Sequence, residues 1–238
     1  MTQALQRTLI YEKHVSLGAK MVPFAGWEMP IQYSDGILAE VRAVRASAGI
    51  FDVSHMGRLN ISGQSSADFL DRVFSSKVGN LTIGQARYGV ICSEQGGIID
   101  DCIVYRRCEE SFQLVPNASN TSKILNWLYK WVEDQQEVII DNVTSDFAMV
   151  ALQGPSAASL LEELTPMDLK SIKPFRGIET IILDYDCFVA RTGYTGEDGF
   201  ELIIPKANVQ EIWSALIKKG AKPCGLGARD LLRLEAGL

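Results

Sequence analysis

Three short runs decide the fold class: Arg87-Tyr-Gly-Val-Ile-Cys92, Gly97-Ile-Ile-Asp-Asp-Cys-Ile-Val-Tyr105 and Phe112-Gln-Leu-Val115. Each is β-prone, and the turn signals Gln95-Gly-Gly and Glu109-Glu-Ser separate them, so three strands are predicted. On the N-terminal side, Gly57-Arg-Leu-Asn-Ile-Ser-Gly63 alternates polar and apolar residues, as a half-buried strand does. Ser65 or Ser66 then opens a short helix containing Phe69, Leu70 and Val73. On the C-terminal side, Asn120 is read as the cap of a helix to about Val132, with Ile124, Leu128 and Trp131 on one stripe. From residue 57 to 142 the order is therefore strand, helix, strands, helix, which is the pattern of a small α+β domain.

Further outward, Ile37, Val41, Val44 and Ala48 recur at helical spacing and predict a helix from about Ile37 to Ala46, stopped by Gly49. A second unit follows the central one. Phe147 to Leu152 reads as an apolar strand, broken by Gly154-Pro155 before a helix over Ser156–Leu164, with proline at its favoured first position. Strands at Thr180–Leu183, Cys187–Arg191 and Glu201–Ile204 surround a glycine-rich loop, and helices follow at about Val209–Lys218 and from Ala228. The last helix runs to Leu238 without a cap or polar tail, and this predicts a continuation of the chain. Phe24-Ala-Gly-Trp-Glu-Met-Pro30 is left open between a packed loop and a pocket wall.

With 238 residues, 47% of them apolar and 22% charged, the chain has ordinary globular composition. A net charge of −6 argues against a nucleic-acid or membrane-surface binder, which carries a basic footprint. Five scattered cysteines without a C-x-x-C spacing, and only two histidines, argue against a zinc site, a disulfide framework or any metal centre. They fit a reducing compartment. The N-terminus lacks the apolar core of a signal peptide, and no run approaches the ~20 apolar residues of a membrane span. The chain reads as cytoplasmic, or as mitochondrial matrix if it is a processed eukaryotic protein.

Two segments carry chemistry. In Arg191-Thr-Gly-Tyr-Thr-Gly-Glu-Asp-Gly-Phe-Glu201, three glycines permit close approach of a ligand to the backbone, and Glu197, Asp198 and Glu201 put carboxylates beside that opening. Without G-K-[ST], and with acids that would repel it, a phosphate is a poor ligand here. Paired N–H donors, as in a pterin or guanidine, suit it better; an ordinary turn with solvated acids is the plain alternative. In Gly96-Gly-Ile-Ile-Asp-Asp-Cys-Ile-Val-Tyr105, Asp100 and Asp101 point to opposite faces of the strand. Aspartate is unfavourable in strands, so one of the pair is read as a base or electrostatic anchor. Against that stands a reading in which one is solvated and the other caps a backbone group. His55 reads as structural, and Arg229 and Asp230 stand at a helix start suited to an anion or to simple capping.

These segments, together with Tyr11-Glu-Lys-His, Gly18-Ala-Lys-Met-Val, Phe24-Ala-Gly-Trp-Glu-Met-Pro, Phe51-Asp-Val-Ser-His-Met-Gly, Leu152-Gln-Gly-Pro and Gly225-Leu-Gly-Ala-Arg-Asp, occur in the order of one family. From about residue 8 onward the chain resembles aminomethyltransferase, the T-protein of the glycine cleavage system. The resemblance implies an α+β fold of antiparallel sheets with flanking helices in two interleaved lobes. Residues 1–56 plus 143–238 would form a discontinuous lobe, residues 57–142 an inserted ferredoxin-like lobe, and the family's C-terminal β-barrel domain is absent from this sequence.

What the resemblance implies for activity is transfer of the aminomethyl carbon from lipoylated H-protein to tetrahydrofolate, with release of ammonia. It makes Asp101 the catalytic carboxylate and Glu201 the acceptor of two pterin hydrogen bonds. Tyr88, Asn117, Tyr194 and Arg229 become further folate contacts, with Met56, Val90 and Val115 as apolar wall. A related folate-dependent demethylase and a non-catalytic folate-binding protein of the same fold are the alternatives; retention of Asp101 speaks against the second.

Overall fold

The computed structural model describes residues 4–132 and 137–238. Residues 1–3 of the predicted first lobe and 133–136 of the inserted one lie outside them. The chain divides into two compact units. One takes in the chain up to His55, then Asp146–Pro174 and Ile178–Leu238; the other takes in Met56–Ser145 and Phe175–Gly177. Both are α+β with predominantly antiparallel pairing.

The first unit opens with β1 (Gln6–Arg7), α1 (Tyr11–Ser16), β2 (Lys20–Phe24), β3 (Trp27–Gln32), α2 (Ile37–Ala46) and β4 (Gly49–Asp52). Strands β2 and β3 form a hairpin through Ala25 and Gly26, both at positive φ, so the stretch left open between loop and pocket wall is a strand pair.

The second unit holds β5 (Leu59–Ser62), α3 (Ser66–Val73), β6 (Ala86–Cys92), β7 (Ile98–Cys108), β8 (Ser111–Val115), a single 3₁₀ turn, α4 (Thr121–Trp131) and β9 (Ile139–Asn142). Its sheet runs β6-β7-β8-β5-β9, antiparallel throughout. The inner order β7-β8-β5-β9 is that of a split β-α-β unit, with β6 added at the edge. One face, carrying Leu59, Ile61, Ile91, Val104, Phe112 and Leu114, packs with Phe69 and Leu70 of α3 and Ile124 and Leu128 of α4. The opposite face is where the sequence placed its candidate residues.

The chain then returns through β10 (Phe147–Gln153), α5 (Ala157–Glu162), β11 (Gly177–Ile182), β12 (Tyr185–Ala190), β13 (Gly199–Pro205), α6 (Val209–Lys218), β14 (Lys222–Cys224) and α7 (Leu226–Glu235). These complete a six-stranded sheet ordered β11-β12-β13-β10-β4-β14. Val209, Ile212, Trp213 and Leu216 of α6 recur at helical spacing and are buried against Val150, Leu152, Leu202 and Ile204. Each such side chain contributes about 1.5–3 kcal/mol by leaving water.

Three local expectations are corrected. Pro155 is not the first residue of α5: Ser156 is its N-cap and the helix starts at Ala157. Asn120 is the N-cap residue of α4, yet its side chain makes no capping bond; its amide donates instead to Asp100. Helix α7 does have a cap. Gly237 at φ 75° lets its own N–H reach Leu234 and the Leu238 N–H reach Arg233, the paired bonds of a Schellman motif.

Candidate functional site

In the second unit the register of the sheet gathers the predicted residues on one face. Tyr88 pairs with Ile103, Val90 with Asp101, and Ile103 with Val115, so these side chains are same-face neighbours. Asp101 is exposed, whereas Asp100, one residue earlier on the other face, is buried. The Tyr88 hydroxyl donates to Asp101 Oδ2 at 3.1 Å and Asn117 Nδ2 donates to Oδ1 at 3.1 Å. Both oxygens are thereby oriented while each keeps a lone pair for an incoming donor. Val115 is buried and Val90 half-buried beside them. Met56 stands at the start of this unit, its carbonyl accepting from the buried Arg58 guanidinium at 2.6 Å.

Asp100 has a different occupation. Its carboxylate accepts from the Asn117 backbone N–H at 2.8 Å, from Asn117 Nδ2 at 2.9 Å and from Asn120 Nδ2 at 2.7 Å. Burial and the neighbouring Asp100 carboxylate push the Cys102 thiol well above its ordinary range, so that cysteine is an inert part of the core.

In the first unit, residues 191–201 wrap around Gln153. Gln153 Nε2 donates to the Thr192 carbonyl at 3.0 Å, and Thr195 Oγ1 donates to Gln153 Oε1 at 3.0 Å. Gly193 is needed for this approach, because a Cβ there would stand 1.9 Å from Gln153 Oε1. The three acids of the loop have separate partners. Asp198 makes a two-pronged pair with Arg191, at 2.8 and 2.6 Å, and the Arg191 hydrogen bonds hold its carboxyl below the ordinary range. Glu197 pairs with Arg45 at 2.8 Å. Glu201, buried on β13, accepts from Thr192 Oγ1 at 2.6 Å.

Arg229, in the first turns of α7, lies with its guanidinium carbon 4.8 Å from the centroid of the Tyr194 ring. Its Nη1 is buried without a hydrogen-bond partner among the described residues. Burial lowers the pKa of this arginine, and the charges of Glu201 and Tyr194 act in the opposite direction. The helix is anchored from below by Glu40, whose buried carboxylate accepts from the N–H groups of Tyr33 at 2.6 Å and Gly225 at 2.9 Å.

A family model described as the GCVT N-terminal domain matches residues 10–238. The chain belongs to that family. It is 45% identical to an aminomethyltransferase of Desulforamulus reducens over 240 residues, covering 99% of this chain and 65% of the relative. It is 47% identical to that of Rubrobacter xylanophilus over 234 residues, covering 98% and 62%. Among solved structures, the glycine cleavage system aminomethyltransferase T from Bartonella henselae superposes with a TM-score of 0.91 at 37% identity, covering 98% of this chain and 63% of that one. A heterotetrameric sarcosine oxidase from Corynebacterium sp. U-96 shares the fold alone, with a TM-score of 0.59 at 17% identity, 77% of this chain and 90% of that one being covered. The GCVT N-terminal domain chain thus spans just under two thirds of the length of these aminomethyltransferases.

Within this GCVT N-terminal domain, Tyr88, Asp101 and Asn117 form one hydrogen-bonded group, and Tyr194, Glu201 and Arg229 a second group related by ring stacking and charge, each in its own unit. Sequence reasoning gave no part in the site to Asn120, read only as a helix cap, or to Gln153 or Thr192, the side chains that brace the two groups. Gln153 lies in Leu152-Gln-Gly-Pro, but an amide that bonds a distant loop leaves no periodic signal. Among the described residues no three His, Cys, Asp or Glu are grouped to hold a metal ion, and no helix is long and apolar enough to cross a membrane.

Proposed function

We propose that this chain is the folate-binding part of an aminomethyltransferase, which moves the aminomethyl carbon from lipoylated H-protein to tetrahydrofolate and releases ammonia. The observation that carries this reading is Asp101: an exposed carboxylate on a strand, held at both oxygens by Tyr88 and Asn117, in a chain of the GCVT N-terminal domain family. The other group fits a flat, amide-bearing ligand. Glu201 offers a buried acceptor for paired N–H donors, and the unpartnered Nη1 of Arg229 offers a donor for a carbonyl or ring nitrogen. Tetrahydrofolate, when bound, supplies the nitrogen nucleophile that takes up the one-carbon unit. Asp101 orients that nitrogen through its remaining lone pairs and stabilises positive charge developing next to it. With the ligand bound over Asp101, the apolar wall assigned to Met56, Val90 and Val115 would limit water at the carboxylate and strengthen that stabilisation. The five free cysteines suit a cytoplasmic protein.

Titration calorimetry with tetrahydrofolate tests the reading. Glu201→Ala is expected to weaken binding strongly and Asp101→Ala to leave it mostly intact, separating recognition from chemistry. Absence of binding by the folded chain and by an extended one would overturn the assignment. Ammonia release that depends on both lipoylated H-protein and tetrahydrofolate distinguishes the transferase from a folate-dependent demethylase.

A further inference from the structure

Asp100, buried on the face of β7 that packs against the helices, has three N–H donors, two of them from one residue, and a weak fourth bond from Cys102 Sγ at 3.7 Å. The register of β7 and β8 ends at Ile103–Val115, and continuing it would set Asn117 opposite Asp101. Past that pair the ladder stops: the Pro116 carbonyl accepts from Gly57 on the other side, and the Asn117 N–H goes to Asp100 Oδ2 rather than to the Asp101 carbonyl. Asn117 replaces the lost bond with its side chain: Nδ2 donates to the Asp101 carbonyl at 3.0 Å as well as to Asp101 Oδ1. Three oxygens, Asp100 Oδ1, Asp101 O and Asp101 Oδ1, surround that nitrogen within 3.1 Å. This fixes which end of the amide points there. Asn117 is thus clamped from the core side by Asp100, through its backbone N–H and its side chain, and presents its amide to Asp101.

We infer that Asp100 is a positioning residue: through Asn117 it fixes the rotamer of Asp101 and so aims the carboxylate that the proposed reaction uses. A carboxylate is required for this. Its partners, three N–H groups and the Cys102 thiol, all donate, and an ionised carboxylate is acceptor-only, whereas an amide of the same shape would turn an NH₂ toward at least one of them. Asn120, the third donor, joins the start of α4 to the same carboxylate, so helix and strand end are set together. The aspartate that looked redundant in the pair is the one that makes its neighbour's geometry unique. This inference rests on the reading of Asp101 given above.

The test uses Asp100→Asn, with Asp100→Thr as a second variant, since a β-branched residue with one acceptor oxygen is at home in a strand. In spectra of the ¹⁵N-labelled chain, the Asn117 side-chain amide pair should be dispersed in the wild type. It should collapse toward free-amide positions in the variants, while the backbone signals of Val104 and Leu114 stay in place. In the ammonia-release assay the variant should lose about tenfold in kcat, with the tetrahydrofolate KM within about twofold. In an Asn117→Ala background the same substitution should change kcat less than about twofold, because effects carried through one contact are not additive. An unmoved Asn117 pair, or equal losses in both backgrounds, would overturn the positioning reading and leave Asp100 as a fold anchor. A wild type that neither binds tetrahydrofolate nor releases ammonia would overturn the proposed function instead, and the Asn117 signals would still decide the positioning of Asp101.

Discussion

The guanidinium of Arg229 is stacked 4.8 Å from the centre of the Tyr194 ring while one of its terminal nitrogens is buried and unpartnered among the described residues. A cation over an aromatic face gains about 0.5–2 kcal/mol, but a buried N–H without an acceptor costs a comparable amount. The arrangement is therefore close to neutral for folding and favourable only when something accepts the free N–H. Arg229→Met keeps an apolar stem against Tyr194 and removes the donor and the charge. Calorimetry should show tetrahydrofolate affinity reduced about tenfold, equivalent to about 1.4 kcal/mol, with a thermal midpoint changed by only a few degrees. A large fall in the midpoint with unchanged affinity would make Arg229 a structural residue.

Two acids of the 191–201 loop, Asp198 and Glu201, should respond differently to neutralisation. Asp198 faces Arg191 in a partly exposed ion pair, and such pairs contribute about 1 kcal/mol or less. Asp198→Asn is expected to lower stability by no more than that and to leave tetrahydrofolate affinity within about twofold. Glu201→Gln turns one acceptor into a donor facing Thr192 and any N–H ligand, and should reduce affinity about tenfold or more. Parallel titrations of the two variants check the contrast, and equal losses would mean that the loop binds by charge rather than by Glu201.

How much of this was legible depended on the range of the interactions. Helices α2 and α6 were readable to the residue because Ile37, Val41 and Val44, or Val209, Ile212 and Leu216, repeat at helical spacing within ten residues. The opposite fates of Asp100 and Asp101 followed from strand alternation alone, and the prospect that one of them bonds a backbone N–H was already open in the sequence. The β2–β3 hairpin was not readable. Ala25 occupies a positive-φ position in its turn, where glycine or asparagine would have announced it. Asn120 misled for a physical reason: its side chain could cap α4 or satisfy a buried carboxylate, and only the fold brings Asp100 within its reach. Recognition of the family supplied Glu201 and Arg229, which pattern reasoning could not separate from solvated surface charges.

Gly193 offers a test of the loop's support. A methyl group there overlaps Gln153 Oε1, which also receives the Thr195 hydroxyl. Gly193→Ala should lower stability by about 1–3 kcal/mol, as overpacking does, and weaken tetrahydrofolate binding by displacing Thr192 from Glu201. Shortening the obstructing side chain should relieve part of the clash. The Gly193→Ala, Gln153→Ala double variant is then expected to be less destabilised in urea than the sum of the single variants. Strict additivity would show that the loop shifts away from Gln153 without cost.

A pH prediction comes from the buried network under the first unit's sheet. His14 Nε2 lies 2.8 Å from Asp52 Oδ2, its Nδ1 lies 2.8 Å from the Tyr33 hydroxyl, and its ring packs edge-on to Trp213. Burial alone would raise the pKa of Asp52. The hydrogen bond and charge of His14, with the bond from Ser54, outweigh it and hold the group at about 2, against an ordinary 3.8. A carboxylate whose folded pKa is depressed contributes stability above its unfolded value and loses it as the pH falls through the folded value. For Asp52 that contribution, about 2 kcal/mol, is nearly complete at about pH 5 and lost on descending from about pH 4 to pH 2. Asp52→Asn removes the ionisation while keeping the shape, so urea unfolding at neutral pH should show the variant less stable by about 2 kcal/mol or more. The difference between the two proteins should narrow steadily across that acid range. A gap that stays constant as the pH falls would mean that the network acts through packing of His14 against Trp213, not through the charge on Asp52.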